Sequence, residues 1–126
     1  MMEHQFILSG ASTKEERYRE FLSQFKSLVS DVDDEIAVLA NAAAALREAF
    51  GFFWVGFYRV KGDCLILGPF QGSVACYRIK KGKGVCGAAW EQGHTIIVPD
   101  VDKFPGHIAC SSLSRSEIVV PVFSSG

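Results

Sequence analysis

The stretch FFWVGFYRVKGDCLILGPFQGSVACYRI, residues 52–79, decides the fold. It consists of three runs rich in aromatic, β-branched and other apolar residues, and short sequences containing glycine separate the runs. Aromatic and β-branched runs of this length predict strands, and the short breaks predict hairpin turns, so the stretch predicts an antiparallel meander. We expect strands at residues 52–60, 64–70 and 74–79, and turns at KGD (61–63) and QGS (71–73).

Two helices are predicted before the meander. A sequence with capping-box spacing begins at Thr13, and large apolar residues then recur with helical period over residues 14–29. Asp31 is predicted to cap a second helix, whose apolar stripe runs through residues 32–50 and ends at Gly51. We expect these helices to cover one face of the sheet.

The remaining sequence predicts a short helix, two more strands and a long connection. The connection is predicted to carry function, because long irregular segments inside compact domains usually do. The whole pattern indicates one α+β domain over residues 1–126. Since the last predicted strand is not followed by a return strand, we also expect that a C-terminal strand and helix are missing. The helix is predicted at 85–92, the strands at 95–98 and 117–123, and the connection at 99–116.

Length, charge and cysteine content exclude several classes of protein. A chain of 126 residues with 48% hydrophobic residues can bury one core. Its net charge of −1 and scattered basic residues predict no nucleic-acid or membrane partner. The N-terminus has no basic region and only a short apolar run, which predicts a cytoplasmic protein. Disulfides in that compartment are usually transient and catalytic.

The segment from Gly82 to Gly87 matches G-x-G-x-x-G, the dinucleotide-binding pattern. That motif requires a parallel βαβ unit with a full crossover helix, whereas here a meander strand precedes it and about two helical turns follow. We therefore interpret these glycines as turn residues that bring Cys86 close to other backbone.

Cys110 is the candidate nucleophile. It lies in a polar loop, three residues after His107 and five before Arg115, and a nearby cation would lower the pKa of its thiol. The alternative is a buried cysteine that acts only as a small hydrophobe. Glu117 begins the next predicted strand and is either a solvated strand end or a general acid and substrate clamp.

The other cysteines allow more than one interpretation. Cys76 and Cys86 are both candidate disulfide partners of Cys110, whereas Cys64 is predicted to pack in the core. If residues 69–73 form the second turn, Cys76 faces Leu67, too far from Cys64 for a disulfide. No C-x-x-C pair is present, so we predict no metal site.

Trp54 and Tyr58 share one face of the first predicted strand, with Gly56 between them. This spacing predicts a notch between two aromatic rings that would accept a small polarizable group such as a thioether methyl. The alternative is that both aromatic residues belong to an ordinary core on the second face of the sheet.

Several of these segments together resemble the free methionine-(R)-sulfoxide reductases, which are single GAF-domain enzymes that reduce the free amino acid. The likeness covers about residues 35–123 and includes both intervals between the three cysteines. The segments are GPFQG (68–72), VAC (74–76), GKGVCG (82–87), VPDV (98–101), FPGHIAC (104–110) and SEIVVP (116–121).

The resemblance implies a role for each matching residue. Cys110 would be the catalytic cysteine, Cys76 the main resolving cysteine and Cys86 an alternative or secondary redox partner. Trp54 and Tyr58 would receive the substrate methyl group. Glu117 would engage the sulfoxide oxygen.

The resemblance also implies the reaction and its partners. The substrate would be free methionine-(R)-sulfoxide, the reductant thioredoxin and the assembly a homodimer, with no cofactor and no metal. The alternative functions are a GAF sensor that binds a small ligand without catalysis, and a redox sensor in which the disulfide is the signal.

Overall fold

The computed structural model describes residues 6, 8, 13–106 and 115–124. These residues form helices together with antiparallel strands, which confirms the predicted α+β class. The elements are α1 (Lys14–Val29), α2 (Glu35–Phe50), β1 (Val55–Lys61), β2 (Cys64–Gln71), β3 (Arg78–Lys80), α3 (Gly84–Gln92), β4 (Ile96–Val98), a 3-10 helix (Val101–Lys103) and β5 (Glu117–Val119).

The chain divides into two compact units. The first comprises Met1–Phe57 and Gly68–Gly72, and the second comprises Tyr58–Leu67 and Ser73–Gly126. The first unit contains α1 and α2. The second contains α3, β3, β4 and β5. The expected placement of α1 and α2 on one face of the sheet stays a prediction.

The helix α1 has the predicted bounds because its start is encoded locally. The Thr13 hydroxyl accepts a hydrogen bond from the Glu16 amide, and the Glu16 carboxylate accepts one from the Thr13 amide, each at 3.2 Å. This reciprocal pair satisfies two amides that no helical carbonyl can reach.

Phe21 anchors α1 in the first unit, with 8% of its surface exposed. Its ring lies 5.3 Å from the ring of Phe50 at the end of α2, and 5.0 and 5.9 Å from the rings of Phe6 and Phe25. Offset and tilted ring pairs at these separations add to the stabilisation from burial.

The cap of α2 differs from the prediction. Asp34, not Asp31, accepts a hydrogen bond from the Ala37 amide at 2.9 Å, and the helix begins at Glu35. Val32, predicted within the apolar stripe, lies before the helix and is 43% exposed. Asp31, Asp33 and Asp34 all fit the cap preference, so composition alone did not separate them.

Strands β1, β2 and β3 form one sheet in that order. The two residues between β1 and β2 allow only an antiparallel hairpin, and β2 pairs antiparallel with β3 through Leu65 and Ile79. Residues 52–54 lie outside β1, and the third strand is shorter than predicted because residues 74–77 are not in the ladder.

The core of the second unit lies under α3, which packs against β3, β4 and β5. Val85, Val98 and Val101 are each at most 5% exposed. Around them pack three partly buried hydrophobic residues: Ile96, Phe104 and Val119.

The strand predicted at 117–123 is limited to Glu117–Val119. Its partner β4 has only three residues, which pair from Ile96 opposite Val119 to Val98 opposite Glu117. Pro121, without an amide hydrogen, cannot donate to a longer ladder.

Of the three glycines interpreted as turn residues, Gly82 lies before α3, whereas Gly84 and Gly87 lie within the helix, where Gly87 allows a close approach to other backbone. A Cβ on Gly87 would lie 2.5 Å from the Lys80 carbonyl oxygen, and the Gly87 oxygen accepts a hydrogen bond from the Gly82 amide at 2.9 Å. The nine residues of α3 and the antiparallel neighbours rule out the dinucleotide-binding interpretation. Among the residues described, no helix is long and apolar enough to span a bilayer.

Candidate functional site

Cys76 lies in an irregular segment that follows β2 and precedes β3. It is disulfide-bonded and partly buried. Of the other cysteines within the described ranges, Cys64 is buried, Cys86 is partly buried, and both carry free thiols. The structure therefore distinguishes Cys76 from the two other cysteines it describes by its redox state.

Tyr58 holds the backbone of Cys76. Its hydroxyl, on β1, donates a hydrogen bond of 2.7 Å to the Cys76 carbonyl oxygen. Burial raises the pKa of Tyr58 to about 12, and the negative charges of ionised Cys86 and of Glu117 act in the same direction. The hydroxyl therefore stays protonated at neutral pH and remains a hydrogen-bond donor.

Cys86 lies in the first turn of α3, in the second unit with Tyr58. Burial raises the pKa of its thiol to about 11, and the Glu117 carboxylate adds to the shift in the same direction. Because attack on sulfur requires the thiolate, Cys86 is a weak nucleophile at neutral pH.

Glu117 is the first residue of β5, partly buried and opposite Val98 of β4. Since α3 packs against β5, the carboxylate lies close enough to Cys86 and Tyr58 to affect the pKa of both. The structure therefore brings three predicted site residues, Tyr58, Cys86 and Glu117, into one electrostatic neighbourhood.

Trp54 belongs to the first unit, and its surroundings correct the predicted notch. Its ring stacks on Phe70 with centroids 5.4 Å apart and an interplanar angle of 17°. A Cβ added to Gly56 would collide with the Trp54 ring and with Phe70 Cβ, and one added to Gly72 would lie 2.7 Å from Trp54 Cδ1. The Trp54 indole therefore fills the space that Gly56 leaves. Because glycine has no side chain, the ring packs directly against the backbone there.

Two residues of this arrangement were missing from the sequence interpretation. Phe70 and Gly72 lie 16 and 18 residues after Trp54, beyond any local period. The predicted pairing of β1 with β2 in a hairpin was the feature of the sequence that could have placed Phe70 and Gly72 near Trp54. Since Trp54 and Tyr58 fall in different units, their joint contribution to one pocket stays a prediction.

The register beside Cys76 also differs from the expected one. The Leu67 amide donates to the Tyr77 carbonyl at 2.9 Å, so Leu67 is beside Tyr77 and not beside Cys76. The interpretation of Cys64 agrees with the structure, since it is 7% exposed and its thiol donates to the Lys61 carbonyl at 3.7 Å.

The candidate nucleophile Cys110 and the neighbouring His107 lie outside the described residues. Arg115 is described and exposed, and its carbonyl accepts a hydrogen bond from the Val101 amide at 2.9 Å. Within the described ranges, no cluster of three or more His, Cys, Asp or Glu side chains fits a metal ion.

Comparison with known proteins supplies the family context. No protein-family model matches the chain. GAF domain-containing protein A of Dictyostelium discoideum is 59% identical over 115 residues, 90% of this chain and 73% of that protein. The free methionine-R-sulfoxide reductase of Saccharomyces cerevisiae is 43% identical over 124 residues, 92% of this chain and 69% of that protein.

A solved structure extends the likeness to three dimensions. The free methionine-R-sulfoxide reductase of Neisseria meningitidis, determined in complex with its substrate, is 59% identical. It superposes with a TM-score of 0.92 over 98% of this chain and 74% of that chain.

Proposed function

Since the chain belongs to the free methionine-(R)-sulfoxide reductase family of GAF-domain proteins, we propose that it reduces free L-methionine-(R)-sulfoxide to L-methionine. The observation that carries the proposal is the similarity, in sequence and in fold, to an enzyme solved with its substrate. The reductase works through thiols and needs no metal or organic cofactor.

The first step is attack on the substrate sulfur. Glu117, protonated or sharing a proton with the sulfoxide oxygen, makes the sulfur more electrophilic. The Cys110 thiolate attacks, the sulfoxide S–O bond breaks, and the oxygen ends on Cys110 as a sulfenic acid while methionine leaves. The sulfur of the substrate is reduced by two electrons, and Cys110 is oxidised by two.

The second step recycles the enzyme. The Cys76 thiol condenses with the Cys110 sulfenic acid, which releases water and forms a disulfide. A dithiol protein, thioredoxin in our proposal, reduces that disulfide and is itself oxidised to a disulfide.

Two observations support Cys76 over Cys86 as the resolving cysteine. Cys76 is disulfide-bonded, whereas Cys86 carries a free thiol whose pKa is raised to about 11. Because a thiol with so high a pKa has little thiolate near pH 7, Cys86 is the weaker partner. Its proposed role is that of a secondary redox partner.

The position of Glu117 supports its proposed role. It is partly buried, and its charge raises the pKa of Tyr58 and of Cys86, so its carboxylate lies among the other proposed site residues of the second unit. A carboxyl group at this position can engage a substrate oxygen through a shared proton.

A Cys110→Ser variant tests the nucleophile. We expect no turnover of free methionine-(R)-sulfoxide, measured as methionine formed, because serine cannot accept the oxygen as a sulfenic acid. Cys64→Ala is the matched control, since Cys64 is a free thiol outside the site, and it should retain turnover. Substantial activity in Cys110→Ser would overturn the assignment.

A Cys76→Ser variant tests the resolving role. It should form about one equivalent of methionine per site and then slow sharply, because the sulfenic acid has lost its main partner and Cys86, with a pKa raised to about 11, has little thiolate to replace it. If the first turnover and the recycling were lost to the same extent, the resolving role would be refuted. A protein that acts only as a sensor would show no substrate-dependent turnover in either assay.

A further inference from the structure

Two large apolar side chains flank the disulfide cysteine on the protein surface. Val74 is 82% exposed and Tyr77 is 80% exposed, on either side of Cys76 in the irregular segment before β3. Isolated exposed apolar residues are common on proteins. Two of them beside a disulfide that must react with another protein call for a functional explanation.

Two hydrogen bonds hold the backbone at Cys76 and Tyr77, within the exposed apolar patch that Val74 and Tyr77 form. The Cys76 carbonyl accepts one from the Tyr58 hydroxyl at 2.7 Å, and the Tyr77 carbonyl accepts one from the Leu67 amide at 2.9 Å. Both bonds fix the backbone of residues 76 and 77, so on the Tyr77 side a partner would meet a preformed surface and lose less conformational entropy on binding.

The sequence after the patch is basic, in a chain whose net charge is −1. Residues 78–83 contain four lysines and arginines and no acidic residue. Lys81 lies over the Trp90 ring at 5.0 Å, whereas Arg78, Lys80 and Lys83 present their charges to solvent. A partner with acidic residues around an apolar centre would complement this arrangement.

We propose that Val74 and Tyr77, bordered by Arg78, Lys80 and Lys83, form the docking surface for the dithiol protein that reduces the disulfide of Cys76. The inference rests on the proposed function, since it names the surface that the reductant uses. The partner is a protein whose reactive cysteine lies in an apolar surface with an acidic border.

The docked partner carries out thiol–disulfide exchange. Its thiolate bonds to Cys76 Sγ, the disulfide of Cys76 breaks, and Cys110, its partner in the proposed cycle, leaves as a thiolate. The second thiol of the partner then attacks the mixed disulfide and releases Cys76 as a thiol. Two electrons pass from the partner to the enzyme, and the partner ends as a disulfide.

Serine substitutions at Val74 and Tyr77 test the surface. Turnover of methionine-(R)-sulfoxide is measured with a bacterial thioredoxin, its reductase and NADPH, and separately with dithiothreitol. We expect each variant to raise the KM for thioredoxin by at least about five-fold, because each removes apolar contact at the centre of the interface. The rate with dithiothreitol, which needs no docking surface, should match that of the unmodified protein.

Val122→Ser is the matched control, because Val122 is 84% exposed, belongs to the second unit and lies outside the segment that contains Cys76 and the basic residues. An unchanged KM for thioredoxin in both Val74→Ser and Tyr77→Ser would overturn the docking surface. An equal rise in Val122→Ser would overturn it as well. Absence of turnover with dithiothreitol in the unmodified protein would instead contradict the proposed function, so the two failures are distinguishable.

Discussion

At the scale of single residues, Cys86 shows how its surroundings set the chemistry of a thiol. Its side chain lies in the first turn of α3, where burial and the Glu117 charge raise its pKa to about 11. Both causes disfavour the thiolate, so the thiol stays neutral at neutral pH.

This shift predicts a pH dependence of stability. The thiol titrates near its ordinary pKa of 9.0 in the unfolded chain, whereas the pKa of the folded thiol is about 11. Between those values the unfolded state releases the proton first, so the free energy of unfolding falls as pH rises, by roughly 2 kcal/mol at pH 11. The contribution is fully present below pH 9.

Urea denaturation at pH 8 and pH 10.5, with the disulfide reduced in every sample, measures the effect. Tyr58, whose pKa is also raised, lowers stability in the same direction at high pH, so Cys86→Ala must be compared with the unmodified protein. The variant should lose less stability between the two pH values. An identical loss in both proteins would contradict the prediction.

At the scale of elements, the sequence prediction and the structure differ at the N-terminus of α2, where Asp34 and not Asp31 is the cap. Asp34→Ala should lower the free energy of unfolding by about 1 kcal/mol, because the Ala37 amide loses its acceptor. Asp31→Ala is the control and should change it by less than about 0.5 kcal/mol, since Asp31 precedes the helix. If urea denaturation showed a larger loss of stability in Asp31→Ala than in Asp34→Ala, Asp31 would be the cap instead.

The packing of Gly56 and Phe70 against the Trp54 ring gives a second prediction at this scale. Gly56→Ala should cost about 1–3 kcal/mol of stability, because its methyl group would overlap the Trp54 ring and Phe70 Cβ. Trp54→Phe in the same chain should recover part of this loss, since the smaller ring lacks the overlapping atoms. Additive losses in a thermal or urea double-mutant cycle would show that the two residues do not interact.

Local signals and distant partners explain which elements the sequence could predict. The bounds of α1 are encoded by Thr13 and Glu16 within the helix itself, so they were predictable. The end of β5 depends on the length of β4, and the position of the Trp54 ring depends on Phe70. Neither dependence has a fixed spacing in sequence. Of the site, the residue types were predictable, and the family resemblance already favoured Cys76 over Cys86 as the disulfide cysteine. The raised pKa of Cys86 depends on its burial and on Glu117, so it required the structure.

At the scale of the whole molecule, the family resemblance predicts a homodimer. Light scattering coupled to size exclusion should then give twice the chain mass of 13.8 kDa at micromolar concentration. The measurement should be made on oxidised and reduced samples, because assembly and redox state are separate questions. A single-chain mass in both samples would contradict the prediction.

The position of Cys76 relative to the sheet has a mechanical consequence. Leu67 and Tyr77 share the hydrogen bond next to it, so the cysteine lies one residue beyond that bond. In the proposed cycle, the disulfide of Cys76 would form and break outside the paired residues of β2 and β3. Many disulfides stabilise a fold by linking paired elements. Because this disulfide lies outside the pairing of β2 and β3, its proposed reduction would leave the hydrogen bonds between those strands intact.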